Sequence, residues 1–263
     1  MAWIKMLSKL QLQSSSSSPL PRSSALFHYT RDIDKLQNIL KYGFYPFYCL
    51  ESLPFGRSPE IAFPMVCFCD IPISRISEHL GFYGSYGLAM DKTNWGLANK
   101  INPILYIQNN SRLPKFIEMT VRGAKKLKEE HNEDQYLESI RNLCAYIKCI
   151  EGEANTLDGE HKHKDFYLEN EWRYIPKGRN IKPYLIKEEY DDKDVLSINN
   201  KIANEEGRIK IHPNAIRYIV VEQEWDVSDL IKFIENDLVE YTDPRKKELI
   251  SKILPLELIL KDL

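Results

Sequence analysis

Three stretches of the chain collect side chains that could do chemistry. In Glu169-Asn170-Glu171-Trp172-Arg173-Tyr174, an extended backbone turns alternate residues to opposite sides. Glu169, Glu171 and Arg173 then share one face, and Trp172 and Tyr174 the other. Carboxylates beside a guanidinium form either a reactive site or a plain charge ladder, the latter worth roughly a few tenths of a kcal/mol per pair. In Phe27-His28-Tyr29-Thr30, a histidine stands at the end of an apolar run just before a helix start. A polar side chain there can meet a ligand at the helix N-terminus, and the same position also suits a capping or core hydrogen bonder. In the third stretch, MVCFCDIPIS over residues 65–74 is followed by His79 and by Tyr83 and Tyr86 set among Gly81, Gly84 and Gly87. Those glycines allow close backbone approach, and tyrosines so placed either face a ligand or pack a turn.

The sequence lacks several familiar signatures. It has no Gly-rich phosphate loop ending in Gly-Lys-Ser/Thr, no dinucleotide glycine fingerprint after a strand, no Gly-x-Ser-x-Gly elbow and no Cys-x-x-Cys pair. Cys67 and Cys69 share a strand face with no histidine close in sequence, and His161 and His163 flank Lys162 in a charged, solvated stretch, so no metal site is expected. Lys plus Arg number 36 against 38 Asp plus Glu, a net charge of -2 that supplies no broad positive field for nucleic acid and leaves room only for a local basic groove. The five cysteines sit in apolar runs or beside aromatics, which is how reduced core thiols are used in a cytoplasmic protein. No apolar run approaches the ~20 residues that a membrane span needs.

A mixture of strands and helices must position these residues. Residues 1–24 read as a mobile tail. Trp3, Ile4, Leu7 and Leu10 give a weakly amphipathic start, too polar for a secretory signal, and a serine run over Ser14–Ser18 follows. The remaining 25–263 are expected to form one α+β domain. Leu26–Tyr29 reads as a strand, and Thr30 caps a helix whose Ile33, Leu36, Ile39 and Leu40 keep helical spacing until Gly43. Phe44–Pro64 is punctuated by prolines and reads as an ordered loop, and Met65–Cys69 as a buried strand. Ser74 then caps a short helix through His79, Leu88–Met90 is a strand, Asp91 or Thr93 caps a turn carrying Trp95, and Ile104–Ile107 is a strand. Leu113–Glu130 and Asp134–Ile150 form a helical hairpin inserted at about residues 112–150. A mobile polar loop over Glu151–Asp165 leads to a strand at Phe166–Pro176, with further strands at Tyr184–Ile186 and Ile216–Glu222 and a helix at Asp226–Leu238. No βαβ unit repeats, which favours α+β over a doubly wound sheet.

Taken in order, these segments resemble the AbiGi family of bacterial abortive-infection, or phage-defence, proteins. The resemblance rests on FHYT with its Leu-x-x-Ile-Leu-x-x-Gly helix, AFPMVCFCDIPIS, the HxxxYGxYG stretch from His79, Trp95 ahead of INPILYI, and ENEWRYIP from Glu169. It covers Leu26–Pro176 well and the C-terminal third weakly. What it implies is the antitoxin side of a toxin pair whose toxin resembles a nucleotidyltransferase, hence a partner toxin or a phage component. The same layout is remotely similar to ADP-ribosyltransferase-like folds, which implies a mixed-sheet core and NAD as a substrate. By that similarity His28, with Tyr29 and Thr30, would hold the adenosine side, Tyr83 or Tyr86 would stack on the nicotinamide, and Glu171 would be the catalytic carboxylate. Glu169 or Arg173 would position a nucleic-acid or protein acceptor. A carboxylate bonded to the ribose can stabilise the oxocarbenium-like state of glycosidic cleavage, and a tyrosine face suits a cationic nicotinamide. Two readings follow: an enzyme that cleaves NAD, and a catalytically silent domain that recognises and neutralises a toxin.

Overall fold

The structure, a computed structural model, describes residues 23–55 and 60–261. The tail expected over residues 1–24 therefore lies, apart from its last two residues, outside the described residues. Along the chain the helices are α1 (Ile33–Tyr42), α2 (Ser77–Tyr83), α3 (Leu113–His131), α4 (Gln135–Cys144), α5 (Lys187–Asp191), α6 (Lys193–Gly207), α7 (Asp226–Asn236), α8 (Asp243–Ile250) and α9 (Leu256–Lys261). The strands are β1 (Ala25–Thr30), β2 (Phe47–Ser52), β3 (Glu60–Cys69), β4 (Tyr86–Asp91), β5 (Asn102–Pro103), β6 (Leu105–Ile107), β7 (Ile147–Cys149), β8 (Glu151–Asn155), β9 (His161–Asp165), β10 (Glu171–Tyr174), β11 (Leu185–Ile186), β12 (Ile216–Val221) and β13 (Ile253–Pro255).

Strand β1 is apolar on both faces, and a strand with that pattern must be covered on both sides. It lies in the middle of a mixed sheet of nine strands among the described residues, in the order β13-β12-β4-β1-β3-β10-β5, with β2 and β11 paired along the first half of β3. Only β12 and β13 run parallel within it. On the first face, Leu26, Val66, Phe68, Leu88 and Met90 pack with Leu36 and Leu40 of α1, Leu230 and Ile234 of α7, and Trp95. On the second face, Ala25, Phe27, Tyr29 and Cys69 pack with Ile71, Ile76 and Leu256. The chain is thus an α+β protein, as its element order implied.

The insertion covers the second face farther along β3. There Phe63 and Met65 meet Ile107, Cys144, Ala145 and Ile147. The second helix of the insertion ends at Cys144 rather than near Ile150, because Ile147–Cys149 is drawn out as β7 to pair in parallel with β6. Branched Ile147 suits that extended conformation. The hairpin of two helices is otherwise as expected.

Other segments depart from the sequence reading for identifiable reasons. Residues 47–52 and 60–64 are strand rather than loop, although Pro64 falls inside β3. Its partner Tyr48 turns its own N–H to Asn200 Oδ1 at 2.9 Å, so the missing donor of the proline coincides with a ladder position that Tyr48 does not use. Residues 151–165 form the β8–β9 hairpin, not an unstructured loop. That hairpin is polar on both faces and carried no alternation to read. Thr30 is not the cap of α1: Asp32 Oδ1 accepts the Lys35 N–H at 2.9 Å, and the Thr30 hydroxyl donates to the Asp32 carbonyl. Gly43 does end that helix, with φ +90 and its N–H on the Ile39 carbonyl.

Candidate functional site

Strand β10 is short because Asn170, with φ 44, sits in the left-handed region and breaks the extended run. Glu169 therefore lies in a turn of 3-10 helix over Phe166–Glu169, not on the strand. Glu171 and Arg173 share the second face of the sheet, opposite Cys69 and Cys67 respectively, while Trp172 lies opposite Phe68 on the first face. Despite its position in the turn, the Glu169 side chain returns to the same cluster.

The cluster is a buried chain of alternating charge. Glu51 Oε1 receives Arg173 Nη2 at 2.8 Å, Arg173 Nε donates to Glu171 Oε1 at 2.6 Å, and Glu171 Oε2 receives Lys148 Nζ at 2.8 Å. Lys148 also reaches Glu169 Oε2 at 2.9 Å, and Lys164 Nζ lies 2.6 Å from Glu169 Oε1. The Tyr83 hydroxyl donates to the same Glu169 oxygen. Arg173 is wholly buried and gives its remaining Nη1 to the Ala145 carbonyl at 2.8 Å, latching the end of α4 to the sheet. Lys164 projects from the base of the β8–β9 hairpin and lies over the rings of Phe82 and Tyr83, and Lys148 lies over Phe166.

Three carboxylates face three cations, so the cluster is neutral as a unit. Burial alone would raise the Glu171 carboxyl, but Arg173 and Lys148 outweigh it and hold Glu171 far below the usual carboxylate range. Lys148 likewise is raised well above the ordinary lysine value, because Glu171, Glu169 and Glu51 overcome its burial. Glu51, with burial dominant over Arg173, is shifted upward. His79 stacks on Tyr83 at 4.3 Å between ring centres, and burial lowers its pKa to about 4 against the pull of Glu169. Isolated charges at this depth would cost several kcal/mol each, on the order of what their pairing recovers.

Two adjoining cavities open here. An inner one of about 190 Å³ is lined by Phe27, His79, Tyr83, Lys148, Glu169 and Glu171, among others. An outer one of about 680 Å³ shares His79 and Glu169 and lies between Ser74–Phe82 and the stretch His163–Asn170. Among the described residues no group of three or more His, Cys, Asp or Glu side chains is placed to hold a metal ion.

The sheet divides the residues singled out from sequence. Tyr83, Glu169, Glu171 and Arg173 come together on the second face. Tyr29 also points to that face, but it packs within the apolar cluster there. His28 points to the first face instead: its Nδ1 is 2.8 Å from the Cys67 carbonyl, and its ring packs against Phe44 and Phe68. Burial lowers its pKa, so it stays neutral. Tyr86 is on that first face too, hydrogen-bonded to Asp226 Oδ2 at 3.0 Å. Thr30 is occupied by the Asp32 carbonyl. Glu51, Lys148 and Lys164 escaped the sequence reading. Each lies in a segment taken for loop or helix, where a single charged residue carries no signal.

Residues 43–222 match the family described as "Putative abortive phage resistance protein AbiGi, antitoxin". That span contains every member of the charge cluster and leaves out β1 with His28. A curated relative, abortive phage resistance protein AbiGi of Lactococcus lactis subsp. cremoris, is 30% identical over 223 residues, covering 76% of this chain and 88% of the relative. No solved structure matches the chain. No helix among the described residues is long and apolar enough to cross a membrane.

Proposed function

We propose, from the premise that the chain belongs to the AbiGi family of abortive phage resistance proteins, that it acts by binding, as the antitoxin that neutralises a partner toxin. One observation carries the preference for binding over catalysis. Both oxygens of Glu171 are engaged, one by Arg173 and one by Lys148, in a cluster whose charges balance. A carboxylate that stabilises a developing ribosyl cation needs an oxygen free for the ribose. Glu171 instead holds the insertion on the sheet, through Arg173 and its bond to Ala145.

The test is co-expression with the product of the reading frame adjoining this gene. The antitoxin reading expects that product to arrest growth alone, the pair to grow, and the purified chain to leave NAD intact.

A second reading keeps one supporting observation: Tyr83, Glu169 and Glu171 line a single cavity beside a larger one. NAD would enter there as a substrate in an ADP-ribosyltransferase-like core, with Tyr83 at the nicotinamide and a nucleic-acid or protein acceptor beyond. His28 and Tyr86, on the other face, have no part in such a site. This reading requires Lys148 to release Glu171, and it expects nicotinamide release that Glu171→Gln abolishes at a temperature where both proteins are folded.

A further inference from the structure

The inserted hairpin presents an unusual outer surface. Helix α3 turns Ile117, Val121 and Ala124 inward, as its amphipathic pattern requires, yet keeps large apolar side chains outside as well. Phe116 and Met119 are 56% and 57% exposed, and Leu127 continues the line at positions that share one helix face. Gly123, the fourth position of that face, has open space where a Cβ would stand. Scattered exposed apolar residues are ordinary, whereas a contiguous stripe marks an interaction surface.

Charge decides what could cover it. Helix α3 carries five Lys or Arg against three Glu, two of the three at its C-terminal end, in a chain whose net charge is -2. Lys115, Arg122 and Lys126 form a basic stripe directly beside the apolar one. Arg122 and Lys126 are tied only by exposed i,i+4 pairs to Glu118 and Glu130, which contribute at most about half a kcal/mol and leave both available. The chain's own N-terminal segment does not fit as the occupant: residues 1–22 contain Lys5, Lys9 and Arg22 and no acidic residue. A second copy docked face to face would set basic stripe against basic stripe. Nucleic acid would answer the lysines but not the exposed Phe116 and Met119. The complement of this face is a protein surface with an apolar groove and an acidic border.

We infer that α3 is the toxin-docking element, with Phe116 and Met119 as its anchors and the Lys115–Arg122–Lys126 stripe steering an acidic partner. This rests on the antitoxin reading. It goes further in locating recognition on the insertion, away from the buried charge cluster, whose part is to hold α4, and with it the hairpin, against the sheet. Anchors of this kind concentrate binding energy, and border charges act mainly on the rate of encounter.

The full chain, Phe116→Ser/Met119→Ser and Lys115→Glu/Arg122→Glu/Lys126→Glu are titrated against the purified product of the adjoining reading frame, and each is tested for rescue of growth. The altered side chains are exposed, so circular dichroism should match wild type. Melting should be unchanged in the serine variant and only slightly lowered in the charge reversal, which exchanges the i,i+4 attractions to Glu118 and Glu130 for repulsions of similar size. The first variant is expected to weaken binding at least ~100-fold through faster dissociation. The second should slow association at least ~10-fold and remove its salt dependence. Variants that are folded and bind as wild type would overturn the docking site while leaving the antitoxin reading standing. A wild-type chain that neither binds nor rescues would remove both. Tight binding of a 20-base-pair duplex that survives the serine substitutions but not the charge reversals would overturn the protein partner in favour of nucleic acid.

Discussion

His28 and Glu171 stand on opposite faces of one sheet, with β3 between their strands. Histidine packs among Phe44 and Phe68 and glutamate pairs with Arg173 and Lys148, so the two share no side-chain bond; only Cys67 of β3, whose carbonyl meets His28 and whose thiol faces the Glu171 side, stands between them. His28→Ala should cost on the order of 2–4 kcal/mol through the cavity and the orphaned Cys67 carbonyl. Its effect should add to that of Glu171→Gln within about 0.5 kcal/mol. Urea unfolding of the two single variants and the double variant measures this, and strong coupling would mean that the faces communicate.

Glu171→Gln is not a quiet isosteric change in this structure. It leaves Arg173, wholly buried, with one carboxylate instead of two, and Lys148 with Glu169 alone. The expected loss is about 3–5 kcal/mol, because an uncompensated charge stays behind. Because the folded-state pKa of Glu171 is depressed, its contribution is fully present above the unfolded pKa near 4.5 and is lost only as pH falls from there toward the folded value, which lies far lower. The stability gap between wild type and variant, read from denaturation midpoints, should therefore persist almost undiminished from pH 7 to pH 4, narrowing by less than about 1 kcal/mol.

His79 governs a different pH window. Its pKa falls from 6.5 in the unfolded chain to about 4 in the fold, so the unfolded state takes up a proton first as the solution is acidified. Stability is then full above pH 6.5 and drains between 6.5 and 4, by roughly 2 kcal/mol at pH 5. The charged groups facing the ring are Glu169, Lys164, Lys148 and Glu171. Melting temperatures of wild type and His79→Gln across pH 7 to 5 should show a shallower decline in the variant. A residual slope is expected from His28, whose pKa is also lowered.

Two glycines should respond in opposite directions to alanine. Gly84 has φ +106, and a Cβ there would overlap the Thr30 carbonyl, so Gly84→Ala should cost about 3 kcal/mol or more. It also sits next to Tyr83 and should disturb the Glu169 contact. Gly123 lies mid-helix with open space around it, so Gly123→Ala should stabilise the protein by up to about 1 kcal/mol. Calorimetric melting of both variants checks the pair.

Periodicity and composition were enough to determine the α+β class, β1, helix α1 with its glycine stop, the two helices of the insertion, and α7. Each of these is a local matter: an apolar face repeats at 2 or 3.6 residues, and a cap or glycine ends it. The face shared by Glu171 and Arg173 was legible for the same reason, since the pleat fixes it. Tertiary structure alone decided what those residues meet. Lys148 and Lys164 arrive from the insertion and from a polar hairpin with no readable period, and Glu51 from a strand masked by prolines. Whether a carboxylate is free to react or locked depends on charges distant in sequence, because burial makes each one pair with whatever the fold brings within about 3 Å. The same folding put His28 and Tyr86 behind the sheet, since adjoining strand residues alternate and one β-strand layer separates their neighbourhoods.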